Sequence, residues 1–284
     1  MFSAHIAPVQ PDPAGAAFAV RNLSKAFAGK AAVDDLSLDV PVGSIYGIVG
    51  PNGAGKTTML TMACGLLRPD SGTSFIVGHD IWRDPLPAKR AMGLLMDGVP
   101  VFDRLTGAEY LYYLGALRSL DEAEVARRSR DLLANLSLAE AADKRIVDYS
   151  AGMTKKILLA GALLHDPEVL ILDEPLEAVD PVSGRMIQQL LRAFARRGGT
   201  VILSSHVMGL VEGLCDHVAI VAEGRVLSSG TAEDVRQGRT LSDIFIELVG
   251  GEDLDPSSFS WLRTAPSGPD SARGSAGEVS PDAS

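Results

Sequence analysis

Between residues 17 and 230 short β-branched and apolar runs alternate with longer stretches of helical apolar spacing. The runs at 44–49, 92–96, 169–172 and 200–203 read as strands, and their alternation with helical patterns predicts a parallel α/β sheet. Upstream, 17–20, 31–40 and the segment around 72–77 read as strands separated by turns, without intervening helices, which predicts a small antiparallel layer. From Thr106 to about Lys144 the pattern is helical throughout. Thr106, with Glu109 three residues on, forms a capping pair that satisfies two free backbone donors. A second helix begins near Asp121, with acids at its positive end and Arg127, Arg128 and Arg130 further along. Glu223-Gly224 between apolar runs predicts a hairpin over 218–227.

The ends of the chain differ in character. Residues 1–16 carry Pro8, Pro11 and Pro13 and little that packs, and residues 251–284 are rich in Ser, Pro, Gly and Asp, so both are expected to be disordered. The expected organisation is a folded domain over 17–250, with a mostly helical insert at about 98–155, followed by an acidic tail over 251–284. Phe259 and Trp261 are the tail's only large aromatics.

Composition narrows the class. Lys plus Arg number 26 against 36 Asp plus Glu, a net charge of -10 that repels nucleic acid phosphates, so a general nucleic acid binder is not expected. The tail contributes -4 of that charge and leaves the folded part nearer neutral. Cys64 and Cys215 have no second ligand at metal spacing and suggest neither a disulfide scaffold nor a zinc site. Two free thiols fit a reducing cytoplasm. Apolar stretches such as 157–164 run about eight residues, against roughly 20 for a membrane span, and residues 1–15 lack the features of a secretory signal.

The chemistry begins directly after the strand at 45–49. Gly50, Pro51, Asn52, Gly53, Ala54, Gly55, Lys56, Thr57 and Thr58 contain two glycines five apart followed by Lys and Thr, the pattern of a phosphate-binding loop. The glycines let backbone N–H groups turn inward, the helix starting at Gly55 adds its positive end, and Lys56 places a cation on the β and γ phosphates. Thr57 offers a hydroxyl to Mg²⁺. The second anchor is the apolar strand 169–172, which ends in Asp173 and Glu174. Asp173 would hold the metal through water, and Glu174 would polarise the water that attacks the γ-phosphate.

Two further elements narrow the family: Tyr149-Ser150-Ala-Gly152-Met153, and Ser204-Ser205-His206 at the end of the strand 201–203. With the two anchors, in this order, they resemble the ATP-binding cassette family over about residues 18–230, specifically the single-domain ATPase subunits of bacterial transporters, many of them exporters. The resemblance implies a phosphate-loop core with a mainly parallel sheet, a small antiparallel layer and a helical insert. It implies that Ser150 and Gly152, at a helix N-terminus, face the ATP held by a second cassette, so that hydrolysis needs a dimer. As a residue alone, Ser150 also reads as a plain helix cap. By the same resemblance His206 contacts the γ-phosphate, Asp180 lies in the loop linking the two sites, and Phe27 stacks on adenine, with a core Phe as the competing reading.

Three departures stand out. Asp97 occupies the place of a metal-reaching Gln or Glu, Leu176-Glu177 replaces Thr-Asn or Ser-Asn, and Met153 replaces a Gln. They imply an active but slower ATPase. The expected function is ATP hydrolysis that powers transport, with export favoured, through a separate membrane permease docked near residues 97–104, on the inner face of the cell membrane. Whether the two cassettes are alike stays open. The alternatives are a soluble cassette or a slow regulatory one that uses ATP as a dimer clamp. A phosphate-loop kinase or GTPase would lack the segment 150–153 ahead of the acidic strand, and no Asn-Lys-x-Asp guanine motif is present.

Overall fold

The computed structural model describes residues 15–98 and 101–250. In chain order the elements are β1 (Ala16–Phe27), β2 (Lys30–Pro41), β3 (Ile45–Val49), α1 (Lys56–Ala63), β4 (Ser71–Ile76), β5 (His79–Asp80), α2 (Pro85–Ala91), β6 (Met92–Leu95), α3 (Gly107–Leu117), α4 (Glu122–Asn135), α5 (Ala151–Leu163), β7 (Val169–Leu172), α6 (Pro181–Arg196), β8 (Thr200–Ser205), α7 (Met208–Leu214), β9 (His217–Ala222), β10 (Arg225–Thr231), α8 (Ala232–Arg236) and α9 (Leu241–Val249). The terminal segments expected to be disordered fall mostly at 1–14 and 251–284, outside the described residues, as do Phe259 and Trp261.

Two sheets carry the domain. A six-stranded sheet runs β10-β9-β3-β8-β7-β6, parallel from β9 to β6, with β10 added antiparallel. A four-stranded antiparallel sheet runs β2-β1-β4-β5. The central strands are buried on both faces, so their sequences are apolar throughout and their alternate side chains enter two different cores. On β7, Leu170 and Leu172 join the cluster under the insert helices, while Val169 and Ile171 join the cluster between the two sheets.

Two expectations need correcting. The antiparallel strands are not separated by turns alone, because β3 and α1 intervene before β4 completes that sheet. The insert is not helical throughout 106–144 either. Helix α4 ends at Asn135, followed by 3-10 turns at Ala139–Ala141 and Ile146–Asp148. Ser137, at φ 53, breaks the helical path there.

The local signals at element ends hold. Thr106 accepts from Glu109 N–H, and Glu109 accepts from Thr106 N–H, closing the capping box of α3. Asp121 caps α4 through the N–H groups of Ala123 and Glu124. The β9-β10 hairpin turns at Glu223 and Gly224, both at positive φ. No helix among the described residues is long and apolar enough to cross a membrane, and Cys64 and Cys215 are buried free thiols.

Candidate functional site: a nucleotide cleft at the strand ends

The phosphate loop, Asp97, Asp173 and His206 follow β3, β6, β7 and β8, so all four leave the sheet at the carboxyl ends of parallel strands. Ligands of open α/β sheets bind there because loops diverge and helix N-termini converge. A cavity of about 590 Å³ opens at this edge, lined by residues 52–58 together with Phe27, Asp97, Glu174, Glu177 and His206.

Two of the loop's glycines, Gly50 and Gly55, are required by packing. A Cβ on Gly50 would sit 2.1 Å from the Val221 carbonyl oxygen. Gly55 caps α1 in the left-handed region at φ 98, and its Cβ would meet the Ala32 oxygen at 2.3 Å. The β9-β10 turn braces the loop, since Gly224 N–H donates to Ala54 O at 3.0 Å. Lys56 lies folded along the loop, its ammonium donating to Gly50 O at 2.8 Å and Pro51 O at 3.2 Å. Gly50 and Pro51 therefore hold the lysine rather than line the cavity. Burial lowers the Lys56 pKa by stripping water from the ammonium, and Glu174 and Asp173 oppose that shift.

Strand order brings the acids and the histidine together. Strand β8 lies between β3 and β7, and Leu172 pairs with Leu203, which sets Asp173 beside Ser204. Ser204 Oγ donates to Asp173 Oδ1 at 2.5 Å and accepts from Glu174 N–H at 2.9 Å, with Ser204 and Asp173 fully buried. His206 Nδ1 lies 3.0 Å from Glu174 Oε1. A carboxylate only accepts, so Nδ1 carries the proton of this bond. Glu174 sits at φ 46, a left-handed conformation uncommon for a residue with a Cβ. Its carbonyl accepts from Glu177 N–H at 3.2 Å and from the Lys155 ammonium at 3.2 Å, and the same ammonium lies 3.1 Å from Asp97 Oδ1.

A hard divalent cation fits the donors present. Asp173 Oδ2 is buried with no hydrogen-bond partner, and Thr57 and Asp97 line the cavity with oxygen donors. Among the described residues no three His, Cys, Asp or Glu side chains form a metal cage. Mg²⁺ suits such a site, because it is commonly held by one or two carboxylates, waters and substrate phosphates rather than by a protein cage.

Phe27 is 49% exposed at the end of β1, with the Lys25 ammonium 5.9 Å from its ring centroid, so the competing reading as a core residue is excluded. Ser150, Gly152 and Asp180 do not line the cavity. Ser150 caps α5 through Met153 N–H at 3.2 Å. Asp180 caps α6 through the N–H groups of Val182 and Ser183, and the Ser183 bonds lead the lowering of its pKa.

The family follows from the match of residues 33–177 to the model described as ABC transporter. The chain belongs to the ABC transporter family. Among its relatives, the daunorubicin/doxorubicin resistance ATP-binding protein DrrA of Streptomyces peucetius is 36% identical over 75% of this chain and 65% of its own length. The ABC transporter ATP-binding protein NatA of Bacillus subtilis is 35% identical over 75% of this chain and 87% of its own. A solved ATP-binding subunit of an ABC transporter superposes with a TM-score of 0.76 at 28% identity, over 81% of this chain and 98% of that one.

The motifs in the sequence point to His206 and Glu174 and mark Glu177 as a departure, but they give no role to Lys155 and none to the Ser204 hydroxyl. The signal for Ser204 is a small hydroxyl that ends the apolar run 201–203, two residues before His206. Lys155 gave none, because its partners are 58 and 19 residues away.

Proposed function

We propose that this chain is the ATP-hydrolysing subunit of a transporter, in which two cassettes close over bound ATP and drive a separate membrane permease, in the direction of export. The observation that carries hydrolysis is the Glu174–His206 contact on the wall of the same cavity as the phosphate loop. The N-terminus of α1 and the inward N–H groups of the loop bind the phosphates. Lys56 exchanges its two loop carbonyls for phosphate oxygens. Thr57, Asp173 and Asp97 would hold Mg²⁺ together with the nucleotide, and the ion would supply neutralisation of the charge on the phosphates.

Glu174 polarises the attacking water and takes up its proton, and His206 orients the Glu174 carboxylate through Nδ1. Phe27 offers an exposed face for the adenine. The N-terminus of α5 at Ser150 and Gly152, together with Asp180, points to a composite site. These groups lie apart from the cavity of their own chain, and a helix N-terminus favours the phosphates of a second cassette. The second cassette is either another copy or a different chain.

The exposed Phe102, five positions after Asp97 in the sequence, packs edge-on against Tyr113 at 5.1 Å, and this exposed aromatic pair suits docking of a permease segment. The working location is the cytoplasmic face of the membrane. Membership in a family with resistance ATP-binding proteins supports the export direction.

The direct test is Glu174→Gln. This variant is expected to bind Mg-ATP with unchanged affinity, to accumulate as an ATP-bound dimer on size-exclusion chromatography, and to lose turnover by at least about 100-fold. Unchanged turnover defeats the assignment of Glu174. Failure of the wild-type chain to retain any membrane protein during purification from its native membranes defeats the transport reading.

A further inference from the structure

Lys155 joins two parts of the site that the sequence keeps far apart, and it does so from the helix that begins at Ser150. Its ammonium bonds Asp97 Oδ1 at 3.1 Å, on the loop after β6, and Glu174 O at 3.2 Å, on the loop after β7. The Lys155 side chain is only 13% exposed, whereas Asp97 is 55% exposed. The cation is thus largely shielded while its loop partner is open to solvent. An ammonium has three donors in a compact head, which lets it hold a carboxylate and a carbonyl at once.

The Glu174 backbone needs such a hold. At φ 46 it occupies a region that costs free energy for a residue with a Cβ, and such conformations persist only where neighbours over-determine them. Its N–H is taken by Ser204, its carbonyl by Lys155 and Glu177 N–H, and its carboxylate by His206. Of these partners Lys155 alone belongs to α5. It lies five positions after Ser150, about 7.5 Å along one rigid helix.

We propose that Lys155 is a positioning residue that ties the N-terminus of α5 to Asp97 and to the Glu174 backbone, so that any shift of α5 is transmitted to both. This rests on the roles given above to Glu174 and Asp97, and it adds a route by which events at Ser150 reach the chain's own hydrolytic site. Lys155 is not among the residues that line the cavity at the phosphate loop. Its effect is on geometry, and it belongs in kcat rather than in ATP affinity.

The test uses the full chain with Lys155→Met and Lys155→Arg, and with Glu174→Gln as a control. Lys155→Met is expected to lower kcat about 10-fold with the KM for ATP unchanged within about twofold, because misplacement of a catalytic group costs rate more than binding. In the nucleotide-free protein, hydrogen exchange should quicken at least about threefold at residues 95–98 and 174–178, an opening readable without turnover. Lys155→Arg, which keeps the charge and the reach, should restore kcat to within about threefold of wild type.

If Lys155→Met does not fold, Lys155→Gln replaces it, since it removes the ion pair without shortening the helix contacts, and the same readouts apply. A Met or Gln variant with wild-type kcat and wild-type exchange overturns the proposal, as does an Arg variant no better than the Met one. The control separates this inference from the reading beneath it. Turnover that survives Glu174→Gln defeats the hydrolytic assignment, whereas loss of turnover there with intact Lys155 variants defeats only the role of Lys155.

Discussion

Substituting Ser204 by Ala removes one oxygen from the most buried polar contact in the cleft. That oxygen donates to Asp173 Oδ1 at 2.5 Å and accepts from Glu174 N–H at 2.9 Å. Asp173 and Ser204 are both 0% exposed, so water cannot readily take over either bond. A hydrogen bond to a charged group contributes about 1.5–3 kcal/mol and a neutral one about 1 kcal/mol, and a buried group left unpaired incurs its desolvation cost. The Asp173 side chain already has Oδ2 without a partner, which leaves it little means of compensating. The expected loss is about 2–4 kcal/mol.

For a folded unit of this size each kcal/mol lowers Tm by about 2–4 °C, so Tm should fall by roughly 4–16 °C. Urea unfolding of the nucleotide-free chain, followed by circular dichroism, measures the free energy directly, and an unchanged m-value shows that the denatured state is unaltered. Turnover should drop as well, with kcat lowered more than KM is raised, because Ser204 holds the Glu174 backbone. A destabilisation below about 0.5 kcal/mol together with wild-type kcat refutes the claim that this hydroxyl organises the two acids.

Three further outcomes follow from other parts of the molecule. Gly93→Ala places a Cβ 2.1 Å from Ala162 O and 2.8 Å from Leu170 Cδ2, forcing α5 from β6, and should destabilise by about 2–3 kcal/mol in urea; a neutral effect contradicts the close approach. Burial, with Arg118 nearby, depresses the His165 pKa to about 4, and its neutral ring lies 3.0 Å from Met92 O. Between pH 6.5 and 4 the unfolded chain binds the proton that the folded chain refuses, so stability present above pH 6.5 is lost as pH falls. Discounted for partial exposure, this is about 1–2 kcal/mol, and His165→Gln should flatten that slope; identical slopes would remove the assignment. Chelation of Mg²⁺ should abolish turnover and weaken ATP binding in fluorescence titrations, and turnover undiminished in excess EDTA contradicts the metal reading of Thr57 and Asp173.

Most of the local structure was legible in residue order. The strands β3, β7 and β8, the caps at Thr106 and Asp121 and the turn at Glu223-Gly224 are written in short-range chemistry: apolar runs, side-chain oxygens three residues ahead of their N–H partners, and residues that tolerate positive φ. The end of α4 was not, because the turns after Asn135 depend on the packing of Leu136 and Leu138 into the core rather than on a strong breaker. The place of Phe27 is not legible in the sequence, since an aromatic after Lys25-Ala26 fits either a core or a cleft; its exposure in the fold decides for the cleft.

The sequence by itself determined the phosphate loop at residues 50–58, the acidic strand end and the family's order of motifs, because each is a contiguous run whose function depends on spacing along the chain. The tertiary structure alone decided how those runs meet. The order β3-β8-β7-β6 inserts Ser204 between the phosphate loop and the acids, places His206 on Glu174, and brings Lys155 against Asp97. Strand order and helix placement are set by how two faces of one sheet are buried at once, a global condition that no local spacing encodes.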